Sequence, residues 1–215
     1  MVILIFALFV GILLLVQAVR RSGRTAQSAA AALASQADVS EGLFYAPGHM
    51  WASLVSDGTV ALGPDAFLRS LMGPVEGIEP ARPGAQVRRG DTLFVVLVNG
   101  RRIEVKAPAD GVVEAFNAEL LTSPGLLALE RDGWVVRFRP NSLSDAVGQM
   151  RIAERARQWM RSEIERLRQF FANLAPRAAL ASLTMLDGGE PAAGALAHFD
   201  DESLSSFSRQ FLEIS

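Results

Sequence analysis

Gly90-Asp-Thr-Leu-Phe-Val-Val-Leu-Val98-Asn99-Gly100-Arg101-Arg-Ile-Glu-Val-Lys106-Ala-Pro108 is the stretch from which the fold can be read. Two runs rich in β-branched and apolar residues, Thr92 to Val98 and Arg101 to Lys106, flank the dipeptide Asn99-Gly100. Asn-Gly accepts the positive φ at both central positions of a type I′ turn, so the runs are expected to close as a β-hairpin with that pair at its crest. Gly90-Asp91 on one side and Pro108 on the other bound the unit, since proline cannot donate to a sheet ladder.

The same punctuation extends outward. Trp51 to Val55 leads through Asp57-Gly58 into Thr59 to Leu62, a second hairpin signal. Asp65 to Met72 has helical spacing, with Phe67, Leu68, Leu71 and Met72 as its apolar members. Asp110-Gly111 precedes Val112 to Phe116, and Trp134 to Arg139 forms a last strand before Pro140. Many short strands at close turn spacing predict a small, mainly β barrel or sandwich over residues 43–144.

Composition narrows the chemistry. The chain has 215 residues, half of them apolar, a formal net charge of −2 and no cysteine. A near-neutral balance gives no general attraction to nucleic acid. Without cysteine there is no disulfide framework, thiolate metal site or Cys nucleophile. Only two histidines occur, His49 and His198, and no carboxylate or thiol cluster stands near His49 in sequence. His49 is therefore read as a structural or surface hydrogen-bonding group. No catalytic motif, phosphate loop or dinucleotide fingerprint is found, so neither enzyme activity, metal nor cofactor is expected.

Taken in order, the landmarks resemble the glycine cleavage H-protein, a lipoyl-carrier family. Tyr45-Ala-Pro-Gly-His49-Met-Trp51 resembles its opening Tyr-x-x-x-His-x-Trp. Asp57-Gly-Thr-Val60 with Gly63-Pro-Asp65-Ala-Phe67 resembles its next stretch, and Pro83-Gly84-x-x-Val87-x-x-Gly90-Asp91 the approach to the carrier hairpin. Ala107-Pro108 through Gly111 to Asn117 and Leu120, then Ser123-Pro124 and Gly133-Trp134, complete the series. The resemblance implies a barrel-sandwich hybrid with flanking helices, and a lipoylated lysine at the hairpin crest. In the family that lysine lies ten residues after the entering glycine and eight before the leaving proline. Both counts, from Gly90 and from Pro108, fall on Gly100, which has no amine. The only lysine of the chain, Lys106, sits in Glu104-Val-Lys106-Ala, a superficial likeness to the lipoylation motif. Placing Lys106 at the crest would put Pro108 within the returning strand. The expectation is a non-lipoylated member, with lipoylation at Lys106 as the alternative.

Val2 to Val19 is an apolar run broken only by Gly11 and Gln17 and followed by Arg20, Arg21 and Arg24. At about 1.5 Å per residue it would measure roughly 27 Å, near the hydrocarbon thickness of a bilayer. Residues 1–20 are thus expected to anchor the chain in a bacterial inner membrane. The arginines would hold the soluble part cytoplasmic and the N-terminus outside. A cleaved signal peptide is the competing reading. Residues 21–42 read as a linker or stalk.

Beyond the β domain, residues 145–175 are expected to form an amphipathic helix. Its apolar arc is interrupted by Glu163, and arginines including Arg161, Arg166 and Arg168 lie outside that arc. Residues 176–215 read as an acidic low-complexity tail, disordered or marginal alone, with Phe207 and Phe211 on a short apolar face. Asn99, Arg101, Arg102, Arg161, Arg166, Arg168, Phe207 and Phe211 are the partner-binding candidates. The function expected from all this is a membrane-tethered, non-catalytic scaffold subunit of a larger inner-membrane complex, respiratory or photosynthetic. A membrane-bound carrier using Lys106, or a regulator that binds lipoate-dependent enzymes, stands beside it.

Overall fold

A computed structural model describes residues 39–129, 133–174 and 193–214. The apolar run Val2 to Val19 and its linker up to residue 38 lie outside the described residues, as does the first part of the tail. Among the described residues no helix is long and apolar enough to cross a membrane.

β1 (Phe44–Ala46), β2 (Met50–Leu54) and β3 (Val60–Pro64) form an antiparallel meander. Its second turn is Asp57-Gly58, where Gly58 has φ +80 and Asp57 Oδ1 accepts from the Thr59 amide at 2.9 Å. α1 (Ala66–Met72) follows, capped by Asp65, whose Oδ1 accepts from the Leu68 amide at 2.9 Å. β4 (Gly77–Pro80), β5 (Gln86–Val87), β6 (Thr92–Val98), β7 (Arg101–Lys106) and β8 (Gly111–Phe116) come next. They are followed by α2 (Ala118–Thr122), α3 (Leu126–Leu129) and β9 (Val136–Pro140).

β4, β6 and β7 form one small antiparallel sheet. The other sheet runs in the order β10-β1-β2-β3-β9-β8-β5, with β10 at Arg151–Ile152. Alternate residues of both sheets meet in one core that contains Met50, Leu62, Phe94, Ile103, Val105 and Phe138. The sandwich expected from the turn spacing is present.

The C-terminal half departs from the expected pattern. In place of one helix from 145, the chain forms α4 (Leu143–Gly148), passes through β10, and only then begins α5 (Ala153–Leu174). β10 pairs with β1, Phe44 opposite Ile152 and Tyr45 opposite Arg151. That edge pairing satisfies backbone groups the helix would have used. Ala153, at φ +50, makes the corner from strand to helix.

The tail also differs from expectation. A 3₁₀ turn (Ala195–His198), α6 (Asp201–Phe207) and a π-helical turn (Ser208–Leu212) pack on the domain. Phe199, Phe207 and Phe211 interlock with Phe170 and Phe171 of α5, at ring-centroid separations of 4.9 to 6.1 Å. The segment enters where Gly194 donates its amide to the Ser70 carbonyl at 2.8 Å. A Cβ on Gly73 there would come within 2.7 Å of Gly194 Cα. Phe207 and Phe211, expected to meet a partner, are 0% and 3% exposed and belong to the chain's own core.

Candidate functional site: the hairpin crest and its surroundings

β6 and β7 pair without a gap at the crest, Val98 opposite Arg101, so the loop is the two residues Asn99 and Gly100. Their φ values of +49 and +71 are those of a type I′ turn. No atom lies within 4 Å of where a Gly100 Cβ would stand, so the crest is sterically open. Gly100→Ala should nonetheless lose about 1 kcal/mol, because a Cβ disfavours the left-handed region. A urea melt should show a lower midpoint at unchanged slope.

The crest is fastened on two sides. The Gly100 amide donates to Glu76 Oε2 at 3.0 Å, just ahead of β4. Asn99 Nδ2 donates to the Ala197 carbonyl at 2.9 Å, and Arg101 pairs with Asp201 at 3.0 Å. Both of those partners belong to the C-terminal segment. Between that segment and β7 lies a groove of about 690 Å³, lined by Asn99, Arg101, Lys106, Asp201, Leu204 and Leu212 among others. Arg102 also lines this groove and pairs with Glu79 at 2.7 Å.

Lys106 is at the far end of β7, opposite Thr92 in the register. Six residues at strand rise place it about 20 Å from the crest. Its ammonium donates to Glu104 Oε2 at 2.6 Å and Thr92 Oγ1 at 3.0 Å. Hydrogen bonds donated to its carboxylate by Lys106 first, and then by Thr92 Oγ1 at 2.8 Å, hold Glu104 below its usual pKa.

A second polar cluster escaped sequence reasoning. His49, 1% exposed and at φ +60, donates through Nδ1–H to Asp65 Oδ2 at 2.9 Å, while Nε2 faces Glu163 Oε2 at 3.7 Å. The ring stacks on Phe67 at 3.9 Å and on Trp159 at 5.0 Å. Burial opposes charge on this imidazole, but the two carboxylates outweigh it and raise its pKa above 6.5. Glu163 does not break the apolar arc by facing outward; it is buried, and Arg166 clamps it through two contacts of 2.7 Å. Burial pushes its pKa up, yet His49 and Arg166 prevail and hold it below 4.5. Arg166 also donates to the Gln210 carbonyl at 2.7 Å. The cluster therefore joins the opening motif, the α1 cap, α5 and the C-terminal segment. Asp65 already accepts the α1 cap bond, Glu163 is clamped, and the faces of the imidazole are covered, so the arrangement serves as a buried strut. Among the described residues no group of three or more His, Asp or Glu is placed to hold a metal ion.

The family profile of the glycine cleavage H-protein matches residues 43–163. This chain belongs to that family. The H-protein region spans both sheets, the carrier hairpin and the first half of α5, and it stops short of the C-terminal segment. A probable glycine cleavage system H protein of Pyrococcus abyssi is 31% identical over 125 residues, covering 58% of this chain and 93% of that protein. The glycine cleavage system H protein of Opitutus terrae is 32% identical over 106 residues, covering 48% and 84%. The crystal structure of a glycine cleavage system H protein from Mycobacterium marinum superposes with a TM-score of 0.50 at 20% identity. It covers 56% of this chain and 98% of its own, a likeness of fold.

Of the residues proposed for partner contact, Asn99, Arg101 and Arg102 surround the crest, but each is engaged within the chain. Arg166 is committed to Glu163, and Arg168 pairs with Glu165 at 3.1 Å. Arg161 is exposed on α5. The sequence holds no local signal for the His49 partners; Asp65 and Glu163 are brought to it by the fold.

Proposed function

We propose that this chain is a membrane-tethered accessory subunit in which an H-protein domain docks onto a larger membrane complex and carries no covalent cofactor. The observation that supports this reading most directly is the crest itself. Asn99 and Gly100 offer no amine, and the sole lysine stands about 20 Å away, held by Glu104 and Thr92. The Val2 to Val19 run supplies the tether.

The names of the relatives favour a second reading, in which Lys106 carries a lipoyl group. Intact mass spectrometry of the full chain, co-expressed with a lipoyl-attaching enzyme and extracted in mild detergent, separates the two. The unmodified mass is expected, together with stoichiometric co-purifying membrane subunits. A lipoyl or octanoyl adduct on Lys106 refutes the docking reading, and a solitary monomer refutes its scaffold part.

A further inference from the structure

The point at which the chain enters the domain is fixed. Val39 is buried, and the Ser40 amide donates to the Tyr45 hydroxyl at 2.8 Å. Residues 39–42 share a shallow pocket with Ile152, Ala153 and Arg157, which are the corner and first turn of α5. The tether thus arrives beside the N-terminus of the longest described helix, 22 residues or about 33 Å.

Among the described residues the outer face of that helix is largely exposed and net basic. Arg157, Arg161 and Arg168, at i, i+4 and i+11, share one flank, beginning at the tether entry; Arg155 lies on the other flank, and Gln158 is central. Glu154 and Glu165 are the acidic residues on this face, paired with Arg157 at 3.3 Å and Arg168 at 3.1 Å. Arg155 and Arg161 make no ion pair among the described residues. Ile152, 43% exposed, adds an apolar contact at the same corner.

The linker from Arg20 to Asp38 can reach at most about 65 Å when fully extended. Because the linker enters beside this basic helix, the helix is among the surfaces of the domain nearest the anchor. We infer that the outer face of α5 docks on the anionic phospholipid surface of the membrane that anchors the chain, fixing the domain's orientation. This rests on the anchor reading above. Arginines near an anionic leaflet are attracted to it within a Debye length, so the docking is salt-sensitive.

The chain has no cysteine, so a single introduced thiol reports position without background. The full chain carrying Gln158→Cys, or Glu119→Cys on α2 as the remote control, is labelled with a fluorophore and reconstituted in nanodiscs with headgroup quenchers. In phosphatidylglycerol discs the label at 158 should be strongly quenched and the one at 119 weakly. Quenching at 158 should fall to the control level in phosphatidylcholine, at high salt, and in Arg155→Glu/Arg161→Glu, which should weaken docking about tenfold or more. Equal quenching at both sites, or quenching at 158 indifferent to lipid charge, overturns the inference. Flotation of the full chain after a carbonate wash tells the two failures apart. A chain that floats without quenching keeps its anchor and loses this orientation, whereas one that does not float loses both.

Discussion

Phe207→Ala should destabilise the protein by about 3–5 kcal/mol, the range for removing a fully buried aromatic ring. In a protein of this size that lowers the melting temperature by about 6–20 °C. The ring is 0% exposed and sits 4.9 Å from Phe211, 6.0 Å from Phe199 and 6.1 Å from Phe170. Its loss therefore opens a cavity where the C-terminal segment meets α5. Calorimetry of the variant measures the shift. A change under about 1 kcal/mol, the size typical of exposed positions, would mean the segment is a peripheral appendage, not part of the core.

The second large effect belongs to the buried strut. Asp65→Ala removes the α1 cap, worth about 1 kcal/mol, and strips the imidazole of its nearest counter-charge, worth about 3 kcal/mol more. The strut also sets a pH window. His49 is raised above 6.5 in the folded state, so its contribution is complete below pH 6.5 and is lost as pH climbs through the raised value. Glu163 is lowered below 4.5, so its contribution is complete above pH 4.5 and is lost as pH falls through the lowered value. Stability from this pair is greatest between pH 4.5 and 6.5. Urea melts across pH 4 to 9 should show wild-type stability declining on the alkaline side, and His49→Gln should flatten that decline. An unchanged alkaline slope in His49→Gln would show that the imidazole is neutral in the folded protein.

Local signals carried the central fold. Asn99-Gly100 between two alternating runs specified the hairpin and its register, because Asn-Gly favours the two-residue type I′ turn and loop length fixes the pairing. The capping role of Asp65 followed a similarly short-range rule. What stayed hidden depends on distant pairing. Residues 145–152 have helical periodicity, yet the free edge of β1 captures Arg151 and Ile152 and delays the helix to Ala153. Glu163 looks like an interruption of an apolar arc until His49 and Arg166 are placed around it. Phe207 and Phe211 show an apolar face, but periodicity does not say whether such a face meets a neighbour or the chain's own interior. Here the Phe170 and Phe171 pair decides it.

Because the aromatic cluster takes three of its five rings from Phe199, Phe207 and Phe211, the interior stays incomplete until those residues have been synthesised. A ribosome delivers the sheets and α5 first, with Phe170 and Phe171 still bare to water. Only when Leu212 clears the exit tunnel can the last apolar surface be sealed. Nascent chains that stall before that point expose a sticky aromatic strip, which makes them ready clients for chaperones and proteases.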